Sequence, residues 1–179
     1  MTILVAILLG IVQGLTEFLP ISSSGHLVLL GQIFILPENS ILFFILLHLA
    51  TLIAVVIVFN KTILDLIKHP FSKKMLMLVS GTVVTLILAL LFKDFFENAF
   101  SGAFLSISFL VTAIFLLIAE WVSKHNKEPK DISLKNTLVM GLFQGFAILP
   151  GISRSGATIS SAIVQGVEKN KAAEFSFLM

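Results

Sequence analysis

The chain has 179 residues, of which 57% are hydrophobic and only 12% are charged. Soluble domains are roughly a quarter charged, so a mean hydropathy of +1.06 leaves too little polar surface for a water-soluble globule. The absence of cysteine excludes disulfides and thiolate chemistry. The net charge of +2 comes without a basic stripe, so no nucleic acid is expected as a partner. We expect a membrane protein surrounded by lipids.

The apolar segments predict three full spans and two helical hairpins. Residues 41–59, 75–92 and 103–122 are each long and apolar enough to cross a hydrocarbon core that is about 30 Å thick. Residues 1–36 and 137–166 each contain two short apolar halves around a break rich in Gly, Ser and Pro. Such a segment predicts a re-entrant hairpin, because irregular backbone at membrane depth needs protein or water partners.

The two ends of the chain lead to further expectations. The first twelve residues carry no positively charged segment and no cleavage site, so we expect no removable signal peptide. Residues 175–179 form an apolar run too short to span, so residues 172–179 are predicted to be the start of a further transmembrane helix, with the C-terminal part missing. Residues 1–179 are therefore expected to form a single membrane domain.

The two polar breaks resemble each other. Residues 10–14 (GIVQG) match 141–145 (GLFQG), and residues 19–25 (LPISSSG) match 149–156 (LPGISRSG). An odd number of spans between the two copies predicts hairpins of opposite sense, as in inverted-repeat membrane proteins that build a site where the repeats meet. The predicted fold class is an all-α integral membrane protein, a polytopic helix bundle with an inverted-topology repeat and two re-entrant helical hairpins.

The lysines indicate the orientation. Those that follow the first span, the third span and the second hairpin are predicted to share one face, and they are Lys61, Lys68, Lys73, Lys74, Lys124, Lys127, Lys130, Lys135, Lys169 and Lys171. The opposite face has only Lys93, and residues 1–60 contain no Lys or Arg. The positive-inside rule therefore places the N-terminus and the first hairpin outside, with a site that opens to the outer face.

The first break carries ionisable residues in an apolar setting. Glu17 and His26 are costly there unless they are paired or hydrated, so each is a candidate functional residue. Gln13 lies four residues before Glu17, on the same face of a helix. Pro20 ends this half-helix, and residues 22–25 offer N–H groups and hydroxyls at the start of the next one. Such a helix N-terminus is typical of an anion site.

The second break has the same design with an arginine added. Arg154 lies among small hydroxyl residues between Pro150 and Thr158. A guanidinium in this setting is typical of phosphate binding, because its planar fork matches phosphate oxygens. A mid-membrane arginine without an anionic partner is also costly, which favours a bound anion.

Both breaks resemble signature motifs of the BacA/UppP undecaprenyl-diphosphate phosphatase family. Residues 13–26 fit (E/Q)xxxE followed by FLPxSS(S/T)GH, and residues 150–158 fit PGxSRSxxT. The resemblance implies a bacterial cell-membrane enzyme that removes the terminal phosphate of undecaprenyl diphosphate, a polyprenyl lipid. That reaction recycles the carrier for peptidoglycan and other envelope polymers, and abundant enzyme confers bacitracin resistance. Family members also use a divalent cation, Mg²⁺ or Ca²⁺, and are longer than this chain.

The motifs and their chemistry give a set of candidate site residues. The predicted catalytic residues are Glu17, Ser23, His26 and Arg154. The predicted diphosphate-binding residues are Gln13, Ser22, Ser24, Gly25, Ser153, Ser155, Gly156 and Thr158. Glu17 is also predicted to bind the cation together with phosphate oxygens, since hard cations prefer oxygen ligands. Gln13 occupies the acidic-or-amide position of the motif, where an amide is neither a base nor an anionic ligand.

Two mechanisms are open at this point. In one, Ser23 attacks the terminal phosphorus while His26 or Glu17 takes its proton, and water hydrolyses the resulting phosphoserine. In the other, His26 and Glu17 activate water and Ser23 only positions phosphate. Ser22 and Ser24 are alternative nucleophiles. The prenyl chain is expected in a groove open to lipid, and two copies of the chain are expected to form a homodimer.

Structural interpretations accompany these functional ones. The alternatives are Glu17 as a structural partner of Arg154, His26 as a helix cap or the partner of a buried carbonyl, and Thr158 as a packing residue. His48 lies in the first span outside any motif, so it is expected to be a packed histidine bonded to a neighbouring helix, with a position near the site as the alternative. A lipid-phosphate transporter is the competing class, because inverted hairpins also occur in transporters. A carboxylate and a histidine beside the phosphate site favour hydrolysis, which needs proton transfer.

Overall fold

A computed structural model of the chain describes residues 1–36, 40–99, 104–126 and 128–179. The helices of this part of the chain are α1 (Ile3–Phe18), α2 (Ser23–Ile33), α3 (Ile41–Val58), α4 (Asn60–Lys68), α5 (Lys73–Leu91), α6 (Lys93–Ala99), α7 (Leu105–His125), α8 (Leu134–Phe146), α9 (Arg154–Val164) and α10 (Lys169–Leu178). One isolated β-bridge joins Lys130 to Val167. The all-helical prediction is confirmed for these residues. Ala103 and Lys127, which the sequence analysis used, lie outside them.

The long helices have the composition of membrane spans. By length and composition, α5 and α7 can each cross a membrane, and α3 with α4 forms a further candidate, bent by 78° between the two helices. These helices overlap the segments predicted at 41–59, 75–92 and 103–122. Their large apolar side chains point outward, as at Leu117 in α7, which is 70% exposed. Exposed apolar surface on this scale is what a lipid environment requires.

The sequence analysis does not predict two short helices, α4 and α6. Both follow apolar spans and lie in segments that were assigned to lysine-bearing connections. Helix α4 is amphipathic: Leu66 is buried, whereas Lys61 and Lys68 are exposed. A short amphipathic helix gives a weak signal beside a long apolar run, because only its one apolar face marks it.

A close crossing joins α5 to α8. Gly81 and Gly141 face each other there, and a Cβ on Gly141 would overlap the carbonyl oxygen of Gly81. The Thr85 hydroxyl of α5 donates to the Gly141 carbonyl at 3.0 Å, and Gln144 Nε2 donates to the Thr85 hydroxyl at 3.2 Å. Small residues combined with interhelical hydrogen bonds are the usual means by which helices associate in membranes.

The main hydrophobic core lies among α4, α5, α7, α8, α9 and α10. It includes Met77, Met140 and Phe175, and Phe175 is only 2% exposed. Ion pairs tie one end of this core together. Lys74 Nζ lies 2.6 Å from Glu174 Oε1, and Lys171 Nζ lies 3.2 Å from Asp131 Oδ1.

Asp131 belongs to the connection between α7 and α8. The hydrogen bond from Lys171 and the backbone N–H of Ile132 lower the pKa of the Asp131 carboxyl group below its ordinary value. Lysines that follow the first span and the second hairpin, Lys74 and Lys171, are thus found at one end of the core.

Candidate active site

The break between α1 and α2 meets the break between α8 and α9. A Cβ on Gly25 would lie 2.7 Å from the Cα of Gly151, so only a glycine permits this approach. In the other repeat, a Cβ on Gly156 would lie 3.1 Å from the carbonyl oxygen of Pro20. Each break therefore brings a glycine close to the proline segment of the other.

Ser22 joins the two breaks. It is the N-cap of α2, and its φ of 69° places a non-glycine residue in the left-handed region. The Ser22 hydroxyl oxygen accepts hydrogen bonds from the N–H of Gly25 at 3.3 Å and from the N–H of Gly151 at 3.2 Å. One buried side chain thus caps its own helix and binds the opposite break.

Ser153 caps α9 in the corresponding way, and α7 holds it in place. The Ser153 hydroxyl oxygen accepts from the N–H of Gly156 at 3.0 Å. The Ser153 N–H donates to the Thr112 hydroxyl at 2.9 Å, and that hydroxyl donates to the Gly151 carbonyl at 2.8 Å. Helices α2 and α9 therefore begin next to each other. The first N–H groups of a helix have no acceptor within that helix.

Glu17, at the end of α1, is the centre of the polar site. Its Oε1 accepts from Arg154 Nη2 at 2.8 Å, and its Oε2 accepts from Gln13 Nε2 at 3.1 Å and from the Ser23 hydroxyl. The Glu17 side chain is 14% exposed, whereas that of Arg154 is 55% exposed. The Glu17–Arg154 pair of the structural interpretation exists, and the same carboxylate accepts a hydrogen bond from the Ser23 hydroxyl.

A cavity of about 200 Å³ opens at this carboxylate. Its lining residues are Thr16, Glu17, Ser22, Ser23, Ser24, His48, Ala147, Ile152, Ser153, Arg154 and Ser155. Seven of the predicted site residues line it: Glu17, Ser22, Ser23, Ser24, Ser153, Arg154 and Ser155. The remaining predicted residues lie behind or beside the cavity wall.

These remaining residues support the wall through specific contacts. Gln13 is 1% exposed, and its Nε2 contacts the Thr51 hydroxyl of α3 at 3.4 Å in addition to Glu17. Thr158 is fully buried, and its hydroxyl contacts the Arg154 carbonyl at 2.9 Å and the Ser176 hydroxyl of α10. These contacts agree with the interpretation of Thr158 as a packing residue.

Gly25 and Gly156 have a different part in the site. Their N–H groups are used by the caps of their own helices, as given above for Ser22 and Ser153. What they provide at the cavity is close approach of the two breaks.

His26 does not line the cavity. Its Nδ1 lies 2.7 Å from the carbonyl oxygen of Ser22, and its ring packs edge-on against Phe109, with ring centroids 5.1 Å apart. The contacts are those expected from the structural interpretation of this histidine, while its catalytic role stays a prediction.

His48 does line the cavity, although the sequence analysis did not include it among the site residues and gave a position near the site only as the alternative. Its Nδ1 lies 2.8 Å from the carbonyl oxygen of Phe44 in its own helix, and its Nε2 lies 3.9 Å from Glu17 Oε2. The expectation of a packed histidine bonded to a neighbouring helix is wrong. One signal was present, because His48 and Thr51 are polar residues three positions apart, on one face of an otherwise apolar span.

The donor set is poorly suited to a metal ion held by protein groups alone. No group of three or more His, Asp and Glu side chains in the described residues is placed to bind a metal ion. Glu17 is the acidic residue of the cavity, and both of its oxygens already accept hydrogen bonds from protein donors. Mg²⁺ and Ca²⁺ take six or more oxygen ligands, and the single carboxylate of the cavity lining would leave most of these positions to phosphate oxygens and water.

Comparisons with known proteins give consistent results. The family described as bacitracin resistance protein BacA matches residues 6–179. The chain is 49% identical to an undecaprenyl-diphosphatase of Carboxydothermus hydrogenoformans, over 97% of this chain and 67% of that relative. It is 47% identical to undecaprenyl-diphosphatase 4 of Bacillus thuringiensis subsp. konkukian, over 97% of this chain and 68% of the relative. An undecaprenyl-diphosphatase of Treponema denticola is 44% identical over the whole chain and 71% of its own length.

Proposed function

Because the chain belongs to the bacitracin resistance protein BacA family, we propose that it hydrolyses undecaprenyl diphosphate to undecaprenyl phosphate and inorganic phosphate. This reaction recycles the lipid carrier for peptidoglycan and envelope synthesis and underlies bacitracin resistance. The observation that carries the proposal is the Glu17 carboxylate, which binds the Ser23 hydroxyl and the Arg154 guanidinium in one cavity. Phosphoryl transfer through a covalent intermediate requires a nucleophile, a base and a positively charged side chain that binds phosphate.

The diphosphate binds at the two helix N-termini. The first N–H groups of α2 and α9 have no intrahelical acceptor, and the positive ends of both helix dipoles attract an anion. Arg154 exchanges its bond to Glu17 for phosphate oxygens, since its side chain is more than half exposed. The hydroxyls of Ser24, Ser153 and Ser155 complete the lining on the phosphate side.

The prenyl chain lies in the apolar groove that adjoins the cavity. This groove has a volume of about 360 Å³ and shares Glu17, His48 and Arg154 with the cavity. Its remaining wall is mostly apolar and comes from α1, α3 and α10, with Leu49, Leu52 and Phe177 among its residues. A diphosphate at the cavity and an apolar chain in the groove match the two parts of a polyprenyl diphosphate.

In the favoured route, Ser23 is the nucleophile. Its oxygen attacks the terminal phosphorus, its proton passes to Glu17 Oε2, and the bond from that phosphorus to the bridging oxygen breaks. Undecaprenyl phosphate leaves, and water then hydrolyses phosphorylated Ser23 to release inorganic phosphate. Ser23 is favoured over Ser22 and Ser24 because its hydroxyl donates to the carboxylate. Ser22 is occupied by backbone donors, and Ser24 contacts Ser22.

A divalent cation, Mg²⁺ or Ca²⁺, enters with the substrate in this proposal. Glu17 would be the protein group that helps to hold it, and phosphate oxygens and water would supply the other ligands, which is the usual arrangement for Mg²⁺ at phosphate-transfer sites. Such a cation would supply charge neutralisation on the diphosphate, while the protein groups described above carry out binding and proton transfer.

The proposal also includes the arrangement of the hairpins and the orientation of the chain in the membrane. The two helix–break–helix segments form re-entrant hairpins of an inverted repeat, with the N-terminus and the cavity mouth on the outer side of the bacterial cell membrane. The reciprocal approaches of Gly25 to Gly151 and of Gly156 to Pro20 support a two-fold relation between the repeats. Pairing of two copies as a homodimer stays a prediction.

Single-turnover hydrolysis in oxygen-18 water tests the function and the route together. Purified protein in detergent is mixed with undecaprenyl diphosphate, and phosphate release and phosphorylated protein are followed. Ser23→Ala is expected to abolish the phosphorylated species and most phosphate release, whereas Ser80→Ala, which removes a hydroxyl of α5 that bonds to its own helix outside the cavity, retains both. Full activity of Ser23→Ala would eliminate the covalent route. Absence of phosphate release by the unmodified chain would contradict the phosphatase proposal and leave the transporter class.

A further inference from the structure

Three histidines of the chain each make the same kind of local hydrogen bond. In His26, His48 and His125, Nδ1 lies 2.7, 2.8 and 2.8 Å from the carbonyl oxygen four residues earlier. A carbonyl oxygen only accepts, so this bond places the proton of a neutral ring on Nδ1 and leaves Nε2 as an acceptor. The three residues differ in what their Nε2 side faces.

Of these three, His48 faces the reaction centre. His26 packs against Phe109, and His125 packs against Trp121 with ring centroids 4.7 Å apart at the exposed end of α7. His48 lines the cavity, and its Nε2 lies 3.9 Å from Glu17 Oε2. That carboxylate oxygen is also the acceptor of the Ser23 hydroxyl. The acceptor nitrogen of His48 is thus close to the nucleophile and its base.

The position of His48 is suited to a water molecule. A distance of 3.9 Å is too long for a direct hydrogen bond to the carboxylate, and contacts beyond about 3.5 Å are commonly bridged by water. The His48 side chain is 43% exposed, so water reaches it from the cavity. Glu17 and Arg154 are the charged groups that line both the cavity and the adjoining groove with His48.

We propose that His48 is a catalytic residue that takes the proton of the water molecule that attacks phosphorus. This inference rests on the proposed function and adds a second proton acceptor to it. Glu17 accepts the proton of the Ser23 hydroxyl in the first step, and His48 Nε2 accepts a proton of water in the second step. Without a second base, hydrolysis of the phosphoserine would depend on a carboxyl group that already holds the Ser23 proton.

The proposed second step balances as follows. The water oxygen bonds to phosphorus while the bond between phosphorus and Ser23 Oγ breaks. One water proton passes to His48 Nε2, and the proton held by Glu17 returns to Ser23 Oγ. Inorganic phosphate leaves, and His48 releases its proton to solvent. No oxidant, reductant or further co-reactant is needed.

Chemical rescue tests the proposal on the full chain in detergent, with undecaprenyl diphosphate as substrate. His48→Ala leaves a space at the cavity that free imidazole can enter. General acid–base catalysis contributes about 100-fold or more, so we expect phosphate release by His48→Ala to fall by about that factor. Phosphorylated Ser23 accumulates in this variant, and added imidazole restores at least about a tenth of the lost rate.

Two comparison variants make the result specific. His125→Ala removes a histidine with the same local bond far from the cavity, and we expect unchanged activity with or without imidazole. His48→Gln keeps a polar side chain that cannot take a proton, so we expect slow phosphate release, accumulation of phosphorylated protein and no rescue. This variant also decides the question if His48→Ala fails to fold.

Several outcomes overturn the proposal. Normal phosphate release by His48→Gln would exclude a proton-transfer role. Loss of activity in a stably folded His48→Ala variant without any rescue by imidazole would assign His48 a positioning role only. Either result would leave the phosphatase function intact, because the unmodified chain would still release phosphate. If the unmodified chain released none, the proposed function itself would fail.

Discussion

Arg154 and Glu17 are bound to each other in the structure, yet the two side chains differ in exposure. Glu17 is held by donors on three sides, whereas the Arg154 guanidinium is 55% exposed and bonded through Nη2. An arriving diphosphate therefore competes with Glu17 for the guanidinium. In the proposed mechanism, this exchange would couple substrate binding to the release of the carboxylate that takes the Ser23 proton.

Arg154→Lys tests whether the planar fork matters. Lysine keeps the positive charge and loses bidentate recognition of phosphate. A charge-assisted hydrogen bond contributes about 1.5–3 kcal/mol, so we expect kcat/KM to fall by roughly 10- to 100-fold. Arg154→Gln, which also loses the charge, is expected to be worse. Steady-state phosphate release by the three proteins measures the difference, and near-normal turnover of Arg154→Lys would contradict bidentate binding.

Gln13→Glu tests how the amide at this motif position affects the cation. In the structure the Gln13 amide donates to Glu17, whereas a carboxylate at position 13 would place a second negative charge beside it. We expect the variant to be several-fold less active at low Mg²⁺ and to recover as Mg²⁺ is raised. Activity measured against Mg²⁺ concentration checks this, with the unmodified chain as reference. Parallel curves for both proteins would show that position 13 does not influence the cation requirement.

At this scale the motifs identified seven of the eleven residues that line the cavity, and His48 is the ionisable lining residue that they did not identify. Residues near Glu17 in sequence, and Arg154 with its hydroxyl neighbours, were predicted because each break is costly in an apolar region unless it binds something polar. His48 was missed because its place depends on how α3 packs on α1, through contacts such as Gln13 to Thr51. Local sequence does not encode that register.

At the scale of elements, paired caps and glycines hold the two breaks in contact. Ser22 and Ser153 each cap a helix, and each also binds a group outside that helix. Helix spans were predictable because long apolar runs decide them. The contact of Gly25 with Gly151 was not predictable in detail, since it depends on the crossing of several helices.

Gly141→Ala tests the crossing of α5 and α8. A Cβ there would overlap the backbone of Gly81, and overpacking typically costs about 1–3 kcal/mol. We expect the melting temperature of the purified protein to fall by several degrees. Gly14→Ala is the matched control in α1, because a Cβ at Gly14 meets no atom within 4 Å and alanine favours a helix. Equal melting temperatures for both variants would show that the crossing tolerates a side chain.

At the scale of the whole molecule, the repeats place two similar breaks against each other. Glu17 comes from the first repeat and Arg154 from the second, so neither repeat holds the polar site by itself. In the proposed mechanism, the first break supplies the nucleophile and its base, and the second supplies the guanidinium that binds phosphate. Divergence of an internal repeat explains why the copies share serines and glycines but differ at the charged residues.

Cysteine labelling tests the topology that this arrangement requires. The chain has no natural cysteine, so single cysteines at Lys68, Lys130 and Lys93 each report one position. The positive-inside rule places positions 68 and 130 on the cytoplasmic side and position 93 outside. In intact cells, a membrane-impermeant maleimide is expected to label only the cysteine at position 93, and to label the other two after the cells are opened. Labelling of positions 68 and 130 from outside would reverse the orientation, and with it the side on which the cavity between the repeats receives its substrate.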